Sequence, residues 1–258
     1  MNWLQKINPK GAKLTYKSPN ERTKDFVKNI KNYFDQESNH TIYDKRNIIK
    51  TVEFENQKYV VKSFKIPHLL NQIVYRFFRE SKAKRSFDNA MHLQRIGIHT
   101  PTPIGYIEFP TRFRFLESFY ISAFFDFDFE IRAVFMDKEF EDRENILKKF
   151  IEYTYKLHQK GVYHVDYSPG NILIKKINNK YLFSIIDLNR MKFLKFDNKL
   201  RMKSLSKLTK ESKDNEFMAK HYSKISKIDE EILLKNLNIA VEEEERYLKN
   251  KKRLKKLK

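Results

Sequence analysis

The sequence predicts an α+β fold, with a strand-rich front half carrying one long helix and a mainly helical back half. Three observations lead to it. Residues 41–65 (TIYDKRNIIKTVEFENQKYVVKSFK) hold short β-branched and aromatic runs around the turn Glu55-Asn56-Gln57-Lys58. Residues 144–160 carry Leu147, Phe150, Ile151, Thr154, Tyr155 and His158 at helical spacing, with Gly161 as the stop. Beyond about residue 200 the pattern is helix or loop throughout.

The elements follow in chain order. Residues 1–40 are polar and lysine-rich and read as an N-terminal extension, within which Phe26, Val27, Ile30 and Phe34 mark a short amphipathic helix. Two or three strands fill 41–65, and a helix is expected over 69–96, closed by Gly97 with prolines soon after. IGYIEF (104–109) and SFYISAFF (118–125) read as two further strands. After the 144–160 helix, NILIKK and YLFSIID form a hairpin around Ile177-Asn178-Asn179-Lys180. The domain boundaries drawn from this pattern are 1–40, 41–122 for a small strand-rich lobe, and 123–258 for a helical lobe.

Composition limits the chemistry. The chain has 258 residues, 40% hydrophobic and 14% aromatic, which excludes a disordered or low-complexity protein. With no cysteine there are no disulfides, thiolate metal sites or cysteine nucleophile. The N-terminal residues break their apolar character with Lys and Pro, unlike a signal peptide, and the longest apolar runs are far too short to span a bilayer. A cytoplasmic location is therefore expected. Lys+Arg 53 against Asp+Glu 33 gives a formal charge of +20, which suits a polyanionic partner or reflects a Lys-, Asn- and Ile-rich composition. No nucleic-acid-binding signature accompanies it, so nucleic acid is not the expected partner. Seven positive charges fall in the last ten residues, KNKKRLKKLK. They suit either the C-terminal end of a helix dipole or a peripheral contact with an anionic membrane, on the inner face of the cytoplasmic membrane.

The stretch LHQKGVYHVDYSPGNILI (157–174), followed by SIIDLNR (184–190), carries the chemistry. A helix ends at Gly161, a polar loop holds His164, Asp166 and Asn171, and a second strand delivers Asp187. Phosphoryl transfer needs a carboxylate to orient the acceptor hydroxyl and take its proton, and oxygen ligands for the Mg²⁺ that bridges the phosphates. Asp166, Asn171 and Asp187 supply these groups in the order that kinases use. Upstream, Lys62 in Val60-Val61-Lys62 stands on the third strand, where kinases hold the nucleotide phosphates. Asp88, nine residues before Gly97, stands where an acidic residue braces that lysine, with Glu80 as a second candidate. His158 and His164 lack metalloprotease spacing and read as packing and hydrogen-bonding residues beside the loop.

From about 41 to 195 the chain resembles the protein-kinase-like superfamily, and within it the lipopolysaccharide kinase (Kdo/WaaP) family. The resemblance rests on VVKSFK, SFDNAMHLQRIGIHTPTPIGYIE, LHQKGVYHVDYSPGNILI and IIDLNR. It implies a bilobal protein-kinase-like fold that transfers the ATP γ-phosphate to a sugar hydroxyl of the lipopolysaccharide inner core, Kdo or heptose. ATP and Mg²⁺ would be the cofactors and a glycolipid or sugar the acceptor. Asp166 would be catalytic, Lys62 and Asp88 would serve nucleotide binding, and Asn171 and Asp187 would hold the metal. Ala123 to Phe125 would border the adenine.

The departures from the kinase pattern narrow the acceptor. No glycine lies between Gly11 and Gly97, so the phosphate loop expected near Asp44-Lys45-Arg46-Asn47 would rely on Lys45 or Arg46. Val165 replaces the arginine that answers an activation-loop phosphate, Asp187-Leu188-Asn189 lacks Phe-Gly, and no Ala-Pro-Glu follows. These features favour a sugar or small acceptor over a protein. The alternatives are a small-molecule (aminoglycoside-type) phosphotransferase using the acidic residues of 126–144, an atypical protein kinase, and a non-catalytic nucleotide-binding pseudokinase.

Overall fold

The computed structural model describes residues 6–7, 13–45, 47–66, 72, 75 and 78–256. The chain divides into two compact units, Met1–Phe125 and Asp126–Lys258, and the division falls inside the aromatic run that follows the last strand of the first unit.

The first unit is a seven-stranded antiparallel sheet with helices. Its elements are β1 (Lys6–Ile7), β2 (Lys13–Lys17), α1 (Glu21–Lys28), α2 (Ile30–Phe34), β3 (His40–Asp44), β4 (Asn47–Phe54), β5 (Gln57–Phe64), α3 (Lys82–Arg95), β6 (Pro103–Pro110) and β7 (Phe115–Ala123). The strand order is β1-β2-β6-β7-β5-β4-β3. Alternation along β5, β6 and β7 sends side chains to two faces. Tyr59, Val61, Ile107, Phe119 and Ile121 pack with Phe26, Val27, Ile30 and Phe34 of α1 and α2. On the other face Phe64 and Tyr106 pack with Ala83 and Phe87 of α3, and Tyr120 joins them.

The residues read as an N-terminal extension are part of this unit: β2 pairs with β6, and α1 and α2 supply one of its cores. The expected amphipathic helix is broken at Asn29, which ends α1 and opens α2. The hairpin turns fall where they were expected. Glu55 and Asn56 (φ 48° and 58°) join β4 to β5 in the left-handed conformation that matches strand twist. The Asp44–Asn47 segment is the turn between β3 and β4, with Arg46 outside the described residues. Of the helix expected over 69–96, the described part is α3; residues 67–71, 73, 74, 76 and 77 lie outside the described residues. Ser81 caps α3 by accepting from the Lys84 amide at 3.0 Å, and Gly97 (φ 68°) leaves it.

The second unit contains β8 (Phe129–Glu130), α4 (Ile131–Met136), α5 (Arg143–Gln159), β9 (Val162–His164), β10 (Ile172–Ile177), β11 (Lys180–Ile185), β12 (Met191–Phe193), α6 (Asn198–Leu205), α7 (Ser212–Ser226) and α8 (Glu230–Lys256). Short 3₁₀ turns lie at Pro169–Asn171 and Leu188–Arg190. The β10–β11 hairpin turns at Asn178 and Asn179 (φ 46° and 60°), as their sequence predicts. The apolar face of α5 (Leu147, Phe150, Ile151, Leu157) is buried, and Phe150 meets Tyr167 and Phe183. Buried Asp214 of α7 is held by Arg143 at 2.6 Å and Lys138 at 2.8 Å, which offsets its desolvation. No helix among the described residues is long and apolar enough to cross a membrane.

Candidate active site

Three predicted site residues converge in the second unit, and short-range pairing explains how. β9 and β12 pair antiparallel with His164 opposite Met191, which lays the 165–171 loop beside the Asp187–Arg190 turn. In the β10–β11 hairpin Ile172 faces Ile185, and the Ile186 amide donates to the Asn171 carbonyl at 3.0 Å. Asn171 and Asp187 therefore stand at adjoining strand ends. Asp187 has left-handed backbone geometry (φ 59°, ψ 54°), and its Oδ1 accepts from Asn189 Nδ2 at 2.7 Å.

The main chain around Asp166 is held from several sides. Its carbonyl accepts from the Ser168 amide at 2.7 Å and from Asn171 Nδ2 at 2.8 Å, and the carbonyl of Val165 accepts from Lys207 Nζ at 2.5 Å. The Asp166 carboxylate meets Arg190, whose Nη1 lies 3.0 Å from one oxygen and 3.2 Å from the other. At Gly170 an added Cβ would lie 1.9 Å from Nη2 of Arg132, so the glycine admits that guanidinium against the loop.

The two histidines brace this arrangement. His164 is buried and pairs through Nε2 with the carbonyl of Ile186, the residue before Asp187, at 2.8 Å. His158 bonds Tyr222 Oη at 2.8 Å through Nδ1 and Ser204 Oγ at 2.7 Å through Nε2. Burial, with the nearby Arg201 charge, pushes its pKa down to about 3, so it is neutral across the physiological range. Burial also lowers His164. Tyr167 anchors the loop to α5 through Thr154 Oγ1 at 2.9 Å.

Lys62 and Asp88 belong to the first unit. Lys62 lies on β5 opposite Tyr120 of β7, and its Nζ sits 5.4 Å from the Phe64 ring centre. Alternation places it on the sheet face that carries α3. Asp88, on α3, accepts from Lys84 Nζ at 2.5 Å, and the same ammonium reaches Glu80 at 2.6 Å. Lys84 stands four residues from each acid, so one cation links the two candidate braces. Burial lowers its pKa, and the two acids more than compensate, leaving it raised. The sequence reading missed Lys84, although the i±4 spacing was available, and it also missed Arg190.

Acidic side chains of 126–144 are engaged with cations and amides of their own unit. Asp126 pairs with Lys175 at 2.7 Å, Glu144 with Lys148 at 2.5 Å, and Asp128 accepts from the Lys176 amide at 2.7 Å. That pairing weakens the reading of this stretch as a site for a cationic acceptor.

A carboxylate in a fixed loop, a carboxamide five residues on, and a second carboxylate at the next strand end form the oxygen set that phosphoryl transfer uses. The family model of the lipopolysaccharide kinase (Kdo/WaaP) family matches residues 36–228. The chain belongs to that family and is a kinase that phosphorylates a sugar hydroxyl. A solved structure described as WaaP in complex with acyl carrier protein is similar in fold, with a TM-score of 0.60 at 14% identity, over 91% of this chain and 98% of that one. No curated protein sequence matches the chain.

Proposed function

We propose that the protein has a bilobal protein-kinase-like fold and transfers the γ-phosphate of ATP to a hydroxyl of the lipopolysaccharide inner core, on Kdo or heptose. The observation that carries this reading is the bond from Asn171 to the Asp166 carbonyl, with Asp187 at the strand end adjoining Asn171, in a chain of this family. The Asp166 carboxylate orients the acceptor O–H and takes its proton as the sugar oxygen bonds to the γ-phosphorus. The bond from that phosphorus to the bridging oxygen breaks, and ADP leaves. Lys62 holds nucleotide phosphates with Asp88, itself paired with Lys84, as its acidic brace. Catalysis of this kind is mainly positioning and charge neutralisation.

The donor set fits Mg²⁺. Asn171 uses its amide nitrogen on Asp166, which turns its hard carbonyl oxygen toward another partner, and Asp187 adds a carboxylate. When bound there, the ion would neutralise charge on the phosphates.

A cytoplasmic site of action, peripheral to the inner face of the membrane, belongs to the same reading. Its support is the exposed end of α8, where Lys249, Lys251, Lys252 and Arg253 follow Tyr247. Acyl carrier protein, named with the similar WaaP structure, is a partner to test by co-purification. The experiment that tests the function is mass spectrometry of lipid A–core glycolipid from cells with and without the gene. The reading predicts loss of one phosphate from an inner-core sugar when the gene is absent; an unchanged glycolipid would overturn it.

A further inference from the structure

The turn Leu188–Arg190 opens on Asp187 and touches both acids of the cluster: Asn189 bonds the Asp187 carboxylate, and Arg190 meets both oxygens of Asp166. The main chain of Asp166 is already fixed by Ser168 and Asn171, which bond its carbonyl. Those bonds leave the side-chain torsions of Asp166 unset, and a carboxylate on a loop samples several rotamers. The β9–β12 register brings Arg190, one residue before Met191, alongside the residues that follow His164. We propose that Arg190 is a positioning residue, which sets the orientation of the Asp166 carboxylate toward the acceptor hydroxyl. The inference rests on the reading of Asp166 as the group that takes the acceptor proton.

Magnitudes separate this role from a structural one. Arg190 and Asp166 are both exposed at their side chains, 57% and 37%, and an ion pair so placed adds little to stability. A small error in the placement of a reacting group, by contrast, costs orders of magnitude in rate. In this turn the chain has Leu188-Asn189 where kinases place Phe-Gly, followed by Arg190, so Asn189 and Arg190 each meet one of the two acids.

The test uses the full chain, [γ-³³P]ATP and lipid A–core glycolipid from cells lacking the gene. Arg190→Met is expected to lower kcat by about ten- to a hundred-fold, with ATP affinity, acceptor KM and melting temperature near wild type. Arg190→Lys, which keeps the cation, is expected to recover part of the loss. Wild-type kcat in Arg190→Met, or a loss confined to acceptor KM, would overturn the proposal. If Asp166→Asn itself transfers at the wild-type rate, the reading of Asp166 fails. If Asp166→Asn is inactive and Arg190→Met is not impaired, the positioning role alone fails.

Discussion

Asn171 donates its side-chain amide to the main-chain carbonyl of Asp166 at 2.8 Å, so the candidate metal ligand and the candidate base are tied by one hydrogen bond. The bond closes the loop across five residues and fixes which end of the carboxamide faces outward. Asn171→Ala is expected to lower kcat by about a hundred-fold or more, because it removes both a ligand and the tie. The fold should persist, since β10 and β11 keep their ladder. Steady-state kinetics with glycolipid acceptor, beside a thermal melt, checks both halves.

Lys62 stands opposite Tyr120 on the sheet face that carries α3. Lys62→Ala is expected to weaken ATP binding by about ten-fold, the loss of one charge-assisted contact, with the melting temperature little changed. Equilibrium binding of a fluorescent ATP analogue measures it. A rise in acceptor KM with nucleotide affinity intact would contradict the assignment.

The pH dependence of stability has a definite sign at His158. Its folded-state pKa is pushed down to about 3, whereas an unfolded histidine titrates near about 6.5. Between those values the unfolded chain binds a proton that the folded chain does not, so His158 contributes stability above about pH 6.5 and loses it progressively as pH falls toward 3. His158→Gln is expected to flatten the fall in urea midpoint between pH 7 and pH 5. It should also lower stability at pH 7 by about 1–3 kcal/mol, through the buried bonds to Tyr222 and Ser204.

Much of the fold was legible in local signals. The two hairpins follow from Glu55-Asn56 and Asn178-Asn179, residues that accept positive φ, and α5 follows from its apolar spacing and the stop at Gly161 (φ 71°). The pairing of β9 with β12 was not legible, because three-residue strands carry too little periodicity and are formed by tertiary contacts. Nor was the entry of β2 into the sheet, where polar Lys13–Lys17 pairs with β6 and is selected by its neighbour. Asp166, Asn171 and Asp187 could be picked out because their residue types stand in the order, five residues and then one hairpin apart, that phosphoryl transfer uses. The Arg190–Asp166 pair spans 24 residues, and its geometry depends on how the β9–β12 ladder lands.

Two glycines of the first unit make opposite predictions about mechanism. At Gly105 an added Cβ would meet the Lys17 carbonyl at 2.6 Å and Val27 Cγ2 at 2.8 Å, so Gly105→Ala is expected to cost about 1–3 kcal/mol through overpacking between β6, β2 and α1. At Gly97 the space is open and φ is 68°, so Gly97→Ala is expected to cost about 1 kcal/mol through backbone strain. Chemical denaturation separates the two, and a Gly105→Ala protein as stable as wild type would contradict the close approach.

The most direct measurement of the central claim compares wild type and Asp166→Ala for transfer of ³³P from ATP to lipid A–core glycolipid, with ATP binding followed in parallel. The account predicts that Asp166→Ala binds ATP nearly as wild type and transfers no measurable phosphate. Full transfer by Asp166→Ala would contradict it.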